Sequence, residues 1–172
     1  LRQGEITVAD AVAAAVSSGA SRVPGTAVYM AKDPSIAPAA LLANLRHNRV
    51  LHRQVLLVSV HVDDVPRVSK LRRARQTRLA SGVHLVELHY GFTESADVPA
   101  GLALVDIPGF RFDPEGTTYF LGRESVVATD LPGMHPLRER LFVQLSRSAS
   151  SAARVFGLPA DRVFEVGSTV DI

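Results

Sequence analysis

The stretch VLLVSVHV, residues 55–62, puts Leu56, Val58, Val60 and Val62 on one face of an extended chain and Val55, Leu57, Ser59 and His61 on the other. Apolar residues on both faces predict an interior strand of a sheet covered on both sides. Working outward, VHLVELHY (83–90) reads as a second strand ending at Gly91, and VPGTAVYM (23–30) as an earlier one behind a Pro-Gly pair. Between VPGTAVYM and VLLVSVHV, DPSIAPAALLANLRHN (33–48) offers Asp33 or Ser35 as a cap and Pro38 in the first turn. Ala37, Leu41 and Leu45 recur there at helical spacing, so a short amphipathic helix is expected.

The outer parts follow the same logic. Ile6–Val16 is Ala- and Val-rich and predicts a connector helix closed by Ser17-Ser18-Gly19. DVPAGLALV, from residue 97, is expected to be a short helix capped by Asp97 with Pro99 in its first turn. TTYFLGRESVVATD (117–130) returns to strand character, with Gly122 suggesting a bulge or kink. The longest helix is expected from Pro136, where Leu137, Leu141, Leu145, Ala149, Ala152 and Phe156 form one stripe closed by Gly157 and Pro159. A final strand, RVFEVGSTVDI, is expected from Arg162. The order α-β-α-β-β-α-β-α-β predicts a single α/β domain: a mixed sheet of about five to six strands with helices packed on it. Residues 1–21 are expected to be connector helix and linker, and 22–172 the domain proper.

Composition narrows the class. At 172 residues and 18.5 kDa the chain suits one domain, and 47% hydrophobic residues exclude a disordered chain. No apolar run approaches the roughly 20 residues a membrane helix needs, and LRQGEITVADAVAAAV lacks the layout of a secretory signal, so a soluble piece is expected. A start without Met suggests a fragment of a longer protein. With no cysteine, disulfides, thiolate metal sites and thiol catalysis are excluded. Nineteen Lys and Arg against seventeen Asp and Glu is near balance, with one local excess at 67–78. RVSKLRRARQTR carries Arg67, Lys70, Arg72, Arg73, Arg75 and Arg78 without an acid. That run could meet anionic lipid, nucleic acid or an acidic partner, and its plainer reading is a solvated loop or connector.

Catalytic signatures are missing. There is no G-x-S-x-G, no H-E-x-x-H and no P-loop, and Gly109, Gly116 and Gly122 are too far apart to cradle a pyrophosphate. His47 and His52 straddle a predicted helix end, while His84 and His89 point to opposite faces of a strand, which speaks against a metal site. His61, His84 and His89 are expected to be partly buried and hydrogen-bonded. The carboxylate pairs Asp63-Asp64 and Asp113 with Glu115 lie near prolines in turns, where Asp bonds its own backbone. No enzyme and no cofactor is expected.

Five collinear segments nevertheless make the chain recognisable: RVPGTAVYM (22–30), ALLANLRHNRVLHRQVLLVSV (40–60), HYGFTESADVP (89–99), FDPEGTTYFLGRE (112–124) and LFVQLSRSASSAARVFGLPADRVFEVGSTVDI (141–172). Together they resemble the cytosolic C-terminal domain of bacterial Kup potassium transporters. Tyr29 and Ser148 depart from the Phe and Asn usual there. The resemblance implies a proton-coupled potassium importer whose transmembrane part belongs to the same chain, with this domain on the cytoplasmic face of the bacterial membrane. It also implies a homodimer and, because some members are inhibited by cyclic di-AMP, a sensor of that second messenger. Nucleic acid is not an expected partner, and 67–78 becomes a candidate contact for anionic lipid.

A dianionic dinucleotide requires cations for its phosphates and flat faces for its bases. The candidate ligand residues are Arg22, Tyr29, His47, Asn48, Tyr90, Tyr119 and Arg123, with Tyr119 and Arg123 on one side of an unbroken strand. Each has a plain structural alternative: core-edge aromatics for Tyr29 and Tyr90, ion-paired surface groups for Arg22 and Arg123, helix-end caps for His47 and Asn48. The competing function is an assembly module that dimerises and binds no small molecule.

Overall fold

Strands apolar on both faces must lie inside a sheet, and the computed structural model, which describes residues 6–122 and 149–167, places the 55–62 stretch there. Among the described residues one six-stranded sheet runs in the order β3-β4-β2-β1-β5-β6. Its strands are β1 Ser21–Met30, β2 Val50–Asp63, β3 Ala74–Ala80, β4 Val83–Gly91, β5 Thr117–Gly122 and β6 Val163–Val166. β2 is parallel to both β1 and β4, and β5 to both β1 and β6, whereas β3 is antiparallel to β4. The α/β class and mixed sheet are therefore as the periodicity indicated.

Strand alternation divides the interior into two cores. Val28, Leu56, Val58, Leu88 and Tyr119 pack on one face against Val98 and Leu102 of α3 (Val98–Leu102) and Ala152 and Ala153 of α4 (Ala149–Val155). Ala27, Tyr29, Val55, Leu57 and Val83 pack on the other against α1 (Val8–Ser17) and α2 (Ala39–Ala43). Helix α1 starts because Thr7 Oγ1 accepts from Asp10 N at 3.1 Å, and its Val8, Ala11 and Val12 are buried in that second core. The predicted Asp97 cap forms: its carboxylate accepts from Ala100 N at 2.9 Å. No described helix is long and apolar enough to cross a membrane.

Three local expectations change. The basic stretch is no simple connector, since Lys70–Arg72 makes a 3-10 turn and Ala74–Ala80 an edge strand. A two-residue turn at Ser81-Gly82, with Gly82 at φ +68°, returns the chain into β4, so pairing rather than apolar pattern makes this strand. The 33–48 helix is cut to α2, then widens into a π turn at Asn44–Asn48 ended by Arg49 in the left-handed region. Gly122 pairs with Val166 in an unbroken ladder, and the register shifts lie in β1 between Val23 and Thr26 and in β3 between Arg78 and Ala80 instead. The rest of the predicted 117–130 strand and the helix from Pro136 to Ser148 lie outside the described residues.

The irregularity in β1 bends the sheet. Tyr29 stands opposite Leu57, seven residues along β2 from Val50, or about 23 Å on a straight strand. Yet Asn44 Nδ2 donates both to Tyr29 Oη, at 3.1 Å, and to the Val50 carbonyl, at 3.2 Å. The first halves of β1 and β2 therefore curl over the second core, as a bulged strand does.

Candidate functional site

The curled end gathers the cations. Ser21 N donates to the Arg49 carbonyl at 2.9 Å, which ties the start of β1 to the π turn. From the next position Arg22 donates to the carbonyls of His52, at 3.1 Å, Arg53, at 3.4 Å, and Ser81, at 2.8 Å, clamping the β3–β4 turn onto β2. It holds backbone, not an acid, so the expected ion pair is replaced by carbonyl contacts. Arg46, His47 and Asn48 of the π turn, Arg49 that ends it, and Arg53 on β2 are exposed. Asn48 Nδ2 donates to Asn44 Oδ1 at 2.8 Å, so Asn48, Asn44 and Tyr29 form one polar chain running inward. Tyr29 itself is fully buried and stacked on Phe120 at 4.6 Å, and burial pushes its hydroxyl up to about 12.

Two backbone features mark this rim. π turns and left-handed non-glycine residues are uncommon, and both gather at functional sites because surrounding structure must hold them. Arg49, at φ +53°, is the left-handed non-glycine residue of the described chain, and it follows the π turn directly. Arg46, Arg49 and Arg53 were not singled out from the sequence. The signal was there in RHNRVLHR, a second acid-free cationic run, but its apolar neighbours drew it into a helix and a strand.

The other candidates lie elsewhere. Tyr90 and Tyr119 belong to the opposite core. Tyr90 donates to the Asp97 carbonyl, and its ring lies 4.4 Å from the Arg73 guanidinium. Tyr119 is fully buried with no hydrogen-bond partner for its hydroxyl among the described residues, and burial raises it to about 12. Arg123 lies outside the described residues. Arg22, Tyr29, His47 and Asn48 are thus brought together, and Tyr90 and Tyr119 are not part of that group.

At the opposite rim the loop after β2 and the turn after β4 are tied by Glu94. Its carboxylate accepts from Arg73 at 2.6 and 3.2 Å, from Val68 N at 2.9 Å and from Gly91 N at 2.7 Å. The Arg73 guanidinium first, then these N–H groups, hold the Glu94 carboxyl down to about 2. Gly91 is forced by this packing, because a Cβ there would collide with the Pro66 carbonyl. Gly91→Ala is expected to lower the unfolding free energy by about 2 kcal/mol, read as an earlier urea midpoint at unchanged slope.

A titratable cluster also escaped the sequence reading. His61 and His89 stand opposite each other on β2 and β4 and stack at 5.1 Å. His89 Nδ1 lies 2.9 Å from Asp63 Oδ1, and His61 Nε2 lies 3.0 Å from Ser59 Oγ and 3.9 Å from Glu87 Oε1. Serine and carboxylate thus address the same imidazole nitrogen, which is not the triad arrangement of a carboxylate behind the ring. His61 and His89 are hydrogen-bonded as expected, but His84 Nδ1 is buried with no hydrogen-bond partner among the described residues. Asp113 does bond its own turn, accepting from Glu115 N at 3.1 Å, whereas Asp63 reaches His89 instead.

The class defined here is an α/β domain built on a largely parallel sheet, with a cationic rim at one end and a tied loop pair at the other. The model of the K+ potassium transporter C-terminal domain matches residues 24–172, and the chain belongs to that family. Curated relatives include probable potassium transport system proteins Kup. That of Erythrobacter litoralis is 41% identical over 155 residues, covering 90% of this chain and 25% of the relative. That of Pseudomonas savastanoi pv. phaseolicola is 44% identical over 151 residues, covering 88% and 24%. Kup 1 of Agrobacterium fabrum is 39% identical over 172 residues, covering 98% and 27%. The chain spans about a quarter of the length of these relatives. No solved structure matches it.

Proposed function

We propose that this chain is the cytosolic C-terminal domain of a proton-coupled potassium importer, and that as a homodimer it regulates transport by binding cyclic di-AMP at the cationic rim. It performs no catalysis in this reading. Membership of the potassium transporter C-terminal domain family supports the first half. The observation that carries the second is the left-handed Arg49 directly after a π turn that holds Arg46 and His47, with Arg22 on β1 and Arg53 on β2 near the start of those paired strands. Several guanidinium groups without an interleaved acid suit phosphate oxygens, and a symmetric ligand with two phosphates suits two copies of one rim. Regulation follows if the ligand binds one transporter state better than the other.

The second reading, an assembly module without a small-molecule ligand, is favoured by β6. It is the last strand of the described sheet and leaves Phe164 64% exposed, an edge open to a second copy. Titration calorimetry of cyclic di-AMP into the 172-residue chain, with cyclic di-GMP and ATP as controls and solution mass recorded, separates the two. The expected result is selective binding of cyclic di-AMP by a dimer. Arg49→Gly keeps the left-handed turn, so stability is expected to stay within about 1 kcal/mol while affinity falls about tenfold. A stable dimer that gives no heat with cyclic di-AMP overturns the sensor reading in favour of assembly.

A further inference from the structure

Side chains that are apolar, fully exposed and ringed by cations are unusual on a protein that meets only water. Leu71 is 97% exposed at the tip of the Lys70–Arg72 turn, with both neighbours exposed cations and Arg67 exposed four residues earlier. Val65 and Phe92, 44% and 41% exposed, belong to the same knot, for Phe92 N donates to the Val65 carbonyl at 2.9 Å. The knot is held in shape from beneath. Glu94 bonds Val68 N, and Arg73 donates to both Glu94 and the Val68 carbonyl, so that arginine and that acid neutralise each other inside. Arg67, Lys70 and Arg72 are left outward, against one exposed acid of the same segment, Asp64.

We infer that this knot is a docking surface for an anionic lipid bilayer, with Leu71 entering the headgroup region and Arg67, Lys70 and Arg72 meeting lipid phosphates. The chemistry is that of peripheral membrane contacts, in which a small apolar insertion and a few surface cations act together. Arg75 and Arg78 on β3 extend the positive field, though their place on an edge strand also gives them the plainer task of blocking strand addition. The inference rests on the reading that the chain works beside a membrane, but not on the ligand proposed for the other rim.

Sedimentation with phosphatidylcholine vesicles, with and without about 30% phosphatidylglycerol, tests it at low salt and at about 0.3 M salt. The chain is expected to sediment with the anionic vesicles alone and to be released by salt. Leu71→Ser is expected to weaken binding about fivefold to tenfold with the thermal midpoint unmoved, and Arg67→Ser or Arg72→Ser about fivefold each. Equal sedimentation with both vesicle types overturns the inference. So does binding that Leu71→Ser leaves intact and that duplex DNA at equal phosphate abolishes, which would mark a general polyanion surface. Either failure leaves the cyclic di-AMP titration unaffected, so the two readings fall separately.

Discussion

Leu57→Ala is expected to cost about 4 kcal/mol of folding free energy, a large part of what a domain of this size possesses. Leu57 is fully buried in the second core, on the strand between β1 and β4, and faces the helices α1 and α2. Truncation removes apolar contact and leaves a void that a strand with neighbours on both edges cannot close by shifting. Leu71→Ala, the same chemical change at a 97% exposed side chain, is expected to move stability by less than about 0.5 kcal/mol. Urea unfolding of the two variants side by side makes the measurement, and equal midpoints would refute the assignment of 55–62 to an interior strand.

Glu94→Gln is expected to lower stability at neutral pH by about 3 kcal/mol, because it leaves the Arg73 guanidinium, 11% exposed, without its counter-charge. The effect carries a pH signature. The Glu94 carboxyl, ordinarily near 4.5, is held down to about 2 in the folded chain, so its contribution is fully present above about pH 5 and is lost as pH falls toward 2. The wild type and Glu94→Gln unfolding curves are therefore expected to differ most at neutral pH and to converge between about pH 5 and pH 2. A gap that stays constant through that window would mean Glu94 acts by shape alone. The same substitution loosens the loop that presents Leu71, so weaker vesicle binding should accompany the loss of stability.

Much of this architecture was legible in the chain because its causes are local. The two-faced apolar run of β2, the Val83–Tyr90 strand, the α1 helix and the Asp97 cap each depend on residues within a turn or two of one another. Four of the seven expected ligand residues, Arg22, Tyr29, His47 and Asn48, also lie in one region. Tyr29 and Asn48 are joined by Asn44, buried and hydrogen-bonded to Tyr29 across 15 positions, which no periodicity distinguishes from its helical neighbours.

The family, the α/β class and the interior strand were determined by the amino-acid sequence alone, through collinear segments and through side-chain alternation that any extended chain must obey. Tertiary structure alone decided that the basic stretch becomes an edge strand, that Glu94 meets Arg73 across 21 positions, and that His61 stacks on His89 across two strands. It also decided that Tyr90 and Tyr119 face away from the cationic rim. Each of these depends on strand register and on the bend at Pro24-Gly25, quantities set by the packing of the whole sheet and not by the residues that end up in contact.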